Sequence, residues 1–292
     1  MQGTVDGFTY GLVTPVTAFL MACLGAALGL RCTRRSLRTR GASRAGWLGL
    51  GATSIGSGIW TMHFIAMLGF TVREAPVGYD RPLTYASLGV AVLMVGIGIF
   101  LVGYRGATRM ALVTGGTITG LGIASMHYLG MAGMTFDGRF EYDTLTVAFS
   151  VVIAVVAATA ALWAAVSVHG FLPSLCASVV MGVAVSGMHY TGMAALQVHI
   201  HPDAAPVPAA EEPTSLLLPM MIGPGCFLLL AAVVLMIDPL MVTGSPEGAG
   251  RRPGHDPRRG GGRMTSIPVR GGHAPLYETA SRRAYRQQPR DR

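Results

Sequence analysis

Three histidines recur in one local pattern. They lie in Met62-His63-Phe64-Ile65-Ala66-Met67, in Met126-His127-Tyr128-Leu129-Gly130-Met131 and in Met188-His189-Tyr190-Thr191-Gly192-Met193. The spacings between them are 64 and 62 residues. On a helix, positions i and i+4 differ by about 40° in azimuth, so each histidine shares its face with the methionine four residues on. The pairs are His63 with Met67, His127 with Met131, and His189 with Met193. Met62, Met126 and Met188, one residue before each histidine, are rotated away by about 100°. Three imidazoles and three thioethers form a soft, neutral donor set that suits copper, Cu(I) above all. Bound there, Cu(I) keeps one positive charge, which hydrocarbon tolerates better than a divalent ion. The motif has no carboxylate for a general base and no cysteine ligand, which argues against a zinc hydrolase. A structural alternative stands beside the ligand reading: histidines bonding helix to helix, methionines packing. The threefold recurrence favours a shared ligand or metal site.

Other chemistry-bearing residues are sparser. His199 and His201, with Asp203, can be read as a metal-capturing loop or as an ordinary solvated one. His169 lies in a short connection, and His255 and His273 lie in a polar tail. All 22 basic residues are arginine, so Schiff-base chemistry and a phosphate-loop lysine are excluded. We find no glycine-rich phosphate loop, paired catalytic carboxylates or nucleophile elbow. The expectation is a protein that is not an enzyme. Cys23, Cys32, Cys176 and Cys226 form no CxxC pair and read as small apolar fillers.

The elements that must position the motif are long and apolar. Seven segments have about the 20 residues needed to cross a bilayer: Phe8–Leu30, Gly46–Phe70, Leu83–Tyr104, Met110–Met134, Leu145–Val168, Ser174–Leu196 and Ser215–Ile237. The motif occurs in the second, fourth and sixth. Each repeat is therefore a pair of spans, and two spans return the chain to the same face, so the three repeats are parallel. The predicted fold is an all-α integral membrane bundle of seven transmembrane helices, three parallel two-helix repeats plus a seventh span. Gly56, Gly120 and Gly182 precede the histidines by seven residues on nearly the same face. This predicts that the second, fourth and sixth spans meet closely at those glycines and widen into a pocket lined by histidine and methionine. His63 and His127 each precede a charged residue, Arg73 and Asp137, by ten positions, or about 15 Å of helix. The pocket is thus expected in the outer half of the bilayer.

Composition agrees with this class. Over 292 residues the chain is 51% hydrophobic and 12% charged, with mean hydropathy +0.50 and a net charge of +8. A soluble enzyme of this size is excluded. The first connection reads as Arg31, Arg34, Arg35, Arg38, Arg40 and Arg44 without an acid, and the third holds Arg105 and Arg109. The fourth holds Asp137, Glu141 and Asp143, and the sixth holds Asp203, Glu211 and Glu212. The positive-inside rule then places the N-terminus outside and the C-terminus in the cytoplasm, across a plasma membrane. Asp6 and the absence of a basic n-region argue against a cleaved signal peptide. The organisation expected is a domain of three repeats over 8–198, an outer loop over 199–214, a seventh span over 215–237 and a disordered Arg/Gly/Pro-rich tail over 243–292. That tail can lie on anionic lipid, and no nucleic-acid partner is expected.

With Met126-His127-Tyr128 and Met188-His189-Tyr190-Thr191, and the more divergent Met62-His63-Phe64, the chain resembles the bacterial MHYT domain over about Thr9 to Val198. Only the third copy spells the motif in full. The resemblance implies a membrane sensor that binds copper through His63, Met67, His127, Met131, His189 and Met193, with Met62, Met126 and Met188 as motif partners. It also implies a diatomic gas as ligand: oxygen, carbon monoxide or nitric oxide. Many members join this domain to cyclic-di-GMP or kinase modules. Here a short basic tail follows instead, so a separate signalling partner is expected to carry the output. Two other functions remain open: a haem-binding electron-transfer protein using the same histidines, and a copper transporter or chaperone.

Overall fold

The computed structural model describes residues 5–7, 9–72, 77–200 and 213–237. These residues form seven long helices joined by short ribbons. In chain order they are β1 (Val5–Asp6), α1 (Val13–Leu37), α2 (Ala42–Leu68), β2 (Thr71–Val72), β3 (Gly78–Tyr79), α3 (Arg81–Arg105), α4 (Arg109–Ala132), β4 (Met134–Thr135), β5 (Gly138–Tyr142), α5 (Thr144–Ser167), α6 (Phe171–Ala194), β6 (Leu196–Ile200) and α7 (Pro213–Ile237). Five of the helices, α1, α3, α5, α6 and α7, are long and apolar enough to cross a membrane. Both α2 and α4 fall short of that apolarity because glycine, serine and threonine crowd them. They need less apolar surface, since much of α2 in particular is buried among other helices.

The local signals explain the boundaries. Asp80 caps α3 by accepting from Leu83 N at 2.7 Å, and Asp143 caps α5 by accepting from Thr146 N at 2.8 Å. The hydrogen bonds from Thr146, side chain first and then backbone, hold the Asp143 carboxyl below its usual range. Thr108 caps α4 in the same manner, through Ala111 N. The turns within the hairpins α1–α2, α3–α4 and α5–α6 carry Gly41, Gly106 and Gly170 at φ +60°, +75° and +94°, a region a β-carbon disfavours.

Three antiparallel ribbons close the other end. Pairing is β1 with β2, β3 with β4, and β5 with β6. In each case the strand entering an odd helix pairs with the strand leaving the next even helix. The chain therefore repeats a strand–helix–glycine turn–helix–strand unit. Helix contacts run from α1 in order to α6, and α6 then packs back on α1. The seventh helix packs on α2 and α1. Large apolar side chains such as Leu93 (63% exposed), Val156, Val180 and Leu229 point outward, the inverse of a water-facing surface.

Three expectations need correction. The arginines Arg31, Arg34 and Arg35 lie on α1, and Arg44 on α2, so the connection itself keeps Arg38 and Arg40. Arginine is a good helix former, and α1 runs seven residues past its apolar stretch until Gly41 allows the reversal. The ribbons were unforeseen because strands of two to five residues show no usable alternation. Gly56, Gly120 and Gly182 do not bring α2, α4 and α6 together. A β-carbon at Gly56 would lie 2.9 Å from Cα of Val92 on α3, one at Gly120 would overlap Val155 on α5, and one at Gly182 would lie 2.5 Å from Cys23 Sγ on α1. Each glycine lets an even helix approach the odd helix of the next unit. The expectations for Phe8, Arg73, His201, Asp203, Glu211, Glu212, most of the 199–214 loop and the 243–292 tail lie outside the described residues.

Candidate metal centre

Each motif histidine stands five residues before the end of its helix, beside the ribbons. The three come together. His63 Nδ1 lies 3.1 Å from His189 Nδ1, and His127 Nδ1 lies 3.2 Å from His63 Nδ1. The rings pack edge to face with centroids 4.9, 5.0 and 5.2 Å apart. All three residues are 1% exposed.

Hydrogen bonding satisfies this arrangement poorly. His63 Nδ1 carries either one proton or one lone pair, yet it faces two partners. A cation among the three Nδ1 atoms would take all three lone pairs at once. With metal–nitrogen bonds of about 2.0–2.1 Å, ligand nitrogens are separated by about 3.3–3.5 Å, close to the 3.1 and 3.2 Å of the two pairs that include His63. The donor chemistry and its geometry therefore fit a metal held by three imidazoles. Among the described residues this is the one cluster of three or more His, Cys, Asp or Glu able to do so.

Two of the opposite ring nitrogens face the next even helix. His63 Nε2 abuts Gly130 on α4, and His127 Nε2 abuts Gly192 on α6. Both nitrogens are buried without a hydrogen-bond partner. The position equivalent to those glycines in the first motif is Ala66, and with His189 it lines a side opening of about 320 Å³. Glycine at two of these positions is a signal the sequence held and periodicity could not interpret.

The methionines divide by place. Met67 and Met131 are buried, while Met193 is partly exposed. Met67 and Met193 line the same side opening as His189, along with Phe70 and Tyr190. Met62, Met126 and Met188 are fully buried in the core. The aromatic residue after each histidine packs on it: Phe64, Tyr128 and Tyr190 have ring centroids 4.6, 4.9 and 5.0 Å away. Tyr128 also bonds Ser150 Oγ at 2.7 Å, which fixes the ring beside His127. Tyr142, on β5 and 5.9 Å from Tyr128, has its phenol pushed up to about 12 by burial, with Tyr128 adding to the shift.

Other candidates stay away from this centre. His199 sits on β6 opposite Arg139, with Nδ1 3.8 Å from a Glu141 carboxylate oxygen. Arg139 and Glu141 form an exposed ion pair at 2.8 Å, which contributes little to stability. His169 lies in the turn before α6. Near that opposite end, Arg34 donates to Ser174 Oγ at 3.0 Å, and Arg44 donates to the Gly103 carbonyl. Arginines thus tie α1 to α6 and α2 to α3. The four cysteines are free thiols.

Comparison with known proteins agrees with the motif. The sequence profile of the MHYT family, described as "Bacterial signalling protein N terminal repeat", matches residues 56–115, 120–178 and 182–247. The chain is 39% identical over 194 residues to the bifunctional diguanylate cyclase/cyclic di-GMP phosphodiesterase MucR of Pseudomonas aeruginosa, covering 65% of this chain and 28% of that protein. It is 34% identical over 235 residues to the cyclic di-GMP phosphodiesterase NbdA of the same organism, covering 76% and 29%. It is 32% identical over 206 residues to the signaling protein YkoW of Bacillus subtilis, covering 68% and 25%. The chain thus spans less than a third of the length of these relatives. No solved structure matches it significantly. Three matched repeats, each opening at the glycine seven residues before a motif histidine, cover more than half of the sequence, and the chain belongs to the MHYT family of bacterial signalling repeats.

Proposed function

We propose that this protein is a membrane sensor whose three repeats hold one copper ion between His63, His127 and His189. The observation that carries this reading is the convergence of three Nδ1 atoms from three separate helices, with neighbouring contacts of 3.1 and 3.2 Å. Met67, Met131 and Met193 are the proposed thioether partners, two of them on the opening beside His189. Soft neutral donors favour Cu(I) over zinc. All seven helices are proposed to span the membrane, the three units standing parallel about its normal. The N-terminus is placed outside and the C-terminus in the cytoplasm, so the centre lies near the outer face. A diatomic gas or a redox change at the copper is the proposed signal. It acts by favouring one packing of the three units over another. Because two relatives are named for cyclic di-GMP enzymes, turnover of that nucleotide is the proposed output class.

Haem is a poorer occupant, because imidazoles in edge-to-face contact leave no gap for a porphyrin plane between two axial ligands. Transport is also disfavoured, since the space beneath the histidines is lined almost wholly by apolar side chains and gives an ion no polar path. Elemental analysis of purified protein tests the reading. One copper per chain, lost in the His63→Ala/His127→Ala/His189→Ala protein, is expected. Stoichiometric copper in that variant would place the site elsewhere.

A further inference from the structure

A second cavity lies beneath the histidines. It has a volume of about 40 Å³ and is walled by α2, α3, α4, α5 and α6. Ile59, Ile123 and Val185 line it, and each stands four residues before a motif histidine. One helical turn, about 6 Å, therefore separates them from the imidazoles along each even helix. The polar lining residue is Thr119, and its hydroxyl donates to the Met94 carbonyl at 3.4 Å. A water molecule needs two to four polar partners, and this wall does not supply them. The cavity is dry by chemistry.

Its side wall is thin in one direction. Ala157 and Ala161 on α5 and Ala184 on α6 line the cavity and are partly exposed, whereas Ala154 and Ala158 behind them are buried. Both α5 and α6 are long and apolar enough to cross a membrane. Every residue that lines the cavity from α5 and α6 is apolar, so this wall carries no polar barrier. The cavity's size limits what enters. At about 10–15 Å³ per water-sized particle, the cavity of about 40 Å³ takes about three or four heavy atoms. An acyl chain would have to separate α5 from α6.

We propose that this cavity is a binding site for a small apolar solute of up to about four heavy atoms, entering from membrane hydrocarbon through the α5–α6 seam. The site stands without a metal. Where the metal-centre reading also holds, it stores such a solute one turn from the imidazoles, on the side away from the ribbons.

Xenon is the probe. The full chain, carrying ¹³C-labelled isoleucine methyls in lipid nanodiscs, is titrated with xenon pressure and followed by NMR. Ile59 and Ile123 methyl shifts are expected to saturate, while those of outward-facing Ile97 and Ile222 drift linearly. Ala158→Leu fills the cavity and should remove the saturable component. Ala161→Phe, at another lining position on the partly exposed seam, gives the same reading by filling the space from that side and serves if the first variant does not fold. Linear drift at Ile59 and Ile123, or saturation that survives in both variants, overturns the proposal. Copper content measured on the same samples separates the two ideas: xenon saturation without copper leaves this site standing and removes the metal centre, and copper without xenon saturation does the reverse.

Discussion

At the scale of single residues, neighbours in one motif take different tasks. His127 contributes one of three imidazoles, so His127→Ala should weaken copper binding by more than about a hundredfold, beyond what loss of an outer hydrogen-bond partner costs. Met131 shares the histidine face and Met126 does not, although both are buried. Met131→Ala should therefore lower copper affinity more than Met126→Ala, even though each leaves a hole costing about 2–5 kcal/mol of stability. Titration with a competing Cu(I) chelator on folded protein checks this, and the reverse order would remove the facial argument. Gly192 gives a subtler test. A methyl there overlaps His127 Nε2 and must displace the ring without deleting a ligand. Gly192→Ala is expected to keep the fold and loosen copper. Azimuth along one helix puts each histidine and the methionine four residues on upon one face, and that much is read from sequence alone. The Gly130 and Gly192 contacts depend on which helix stands alongside, and one helix's periodicity does not contain that.

At the scale of elements, the glycines seven residues before the histidines are contact points between successive units. Gly120 faces Val155 backbone, whereas Gly182 faces the side chains of Cys23 and Phe19. Backbone cannot move aside as a side chain can. Gly120→Ala should therefore cost more than Gly182→Ala, about 1–3 kcal/mol for such overpacking, read as a lower thermal midpoint in detergent. Equal midpoints would mean that the α4–α5 contact is looser than described. Asp143 sets the start of α5, and its folded-state acidity is strengthened by Thr146. Its contribution is present above the ordinary aspartate range and is lost as pH falls through the lowered folded value. Asp143→Asn keeps an acceptor that does not titrate, so the variant should show a flatter acid dependence of thermal stability than the parent. Helix positions were legible because apolar runs of this length have few alternatives. The glycine partners were misassigned because a helical wheel gives a face and not the neighbour it meets.

At the scale of the whole molecule, three units become one ring only because α6 returns to α1. The repeat was plain in the sequence through its histidine spacing, but the six short strands that pair the two ends of each unit were not, since strands of two to five residues leave no usable pattern. Orientation is open to a direct check in a background lacking Cys23, Cys32, Cys176 and Cys226. Arg38→Cys should label from the cytoplasm and Glu141→Cys from outside; the opposite pattern would invert the proposed topology. The central claim is that one metal sits among three imidazoles brought from three units. X-ray absorption at the copper edge of the loaded, purified protein addresses it most directly. The account predicts three nitrogen neighbours at about 2 Å with the outer-shell scattering of imidazole, and loss of that signature in the triple His→Ala protein. A first shell of sulfur or oxygen alone, or one unchanged in the triple variant, would contradict it.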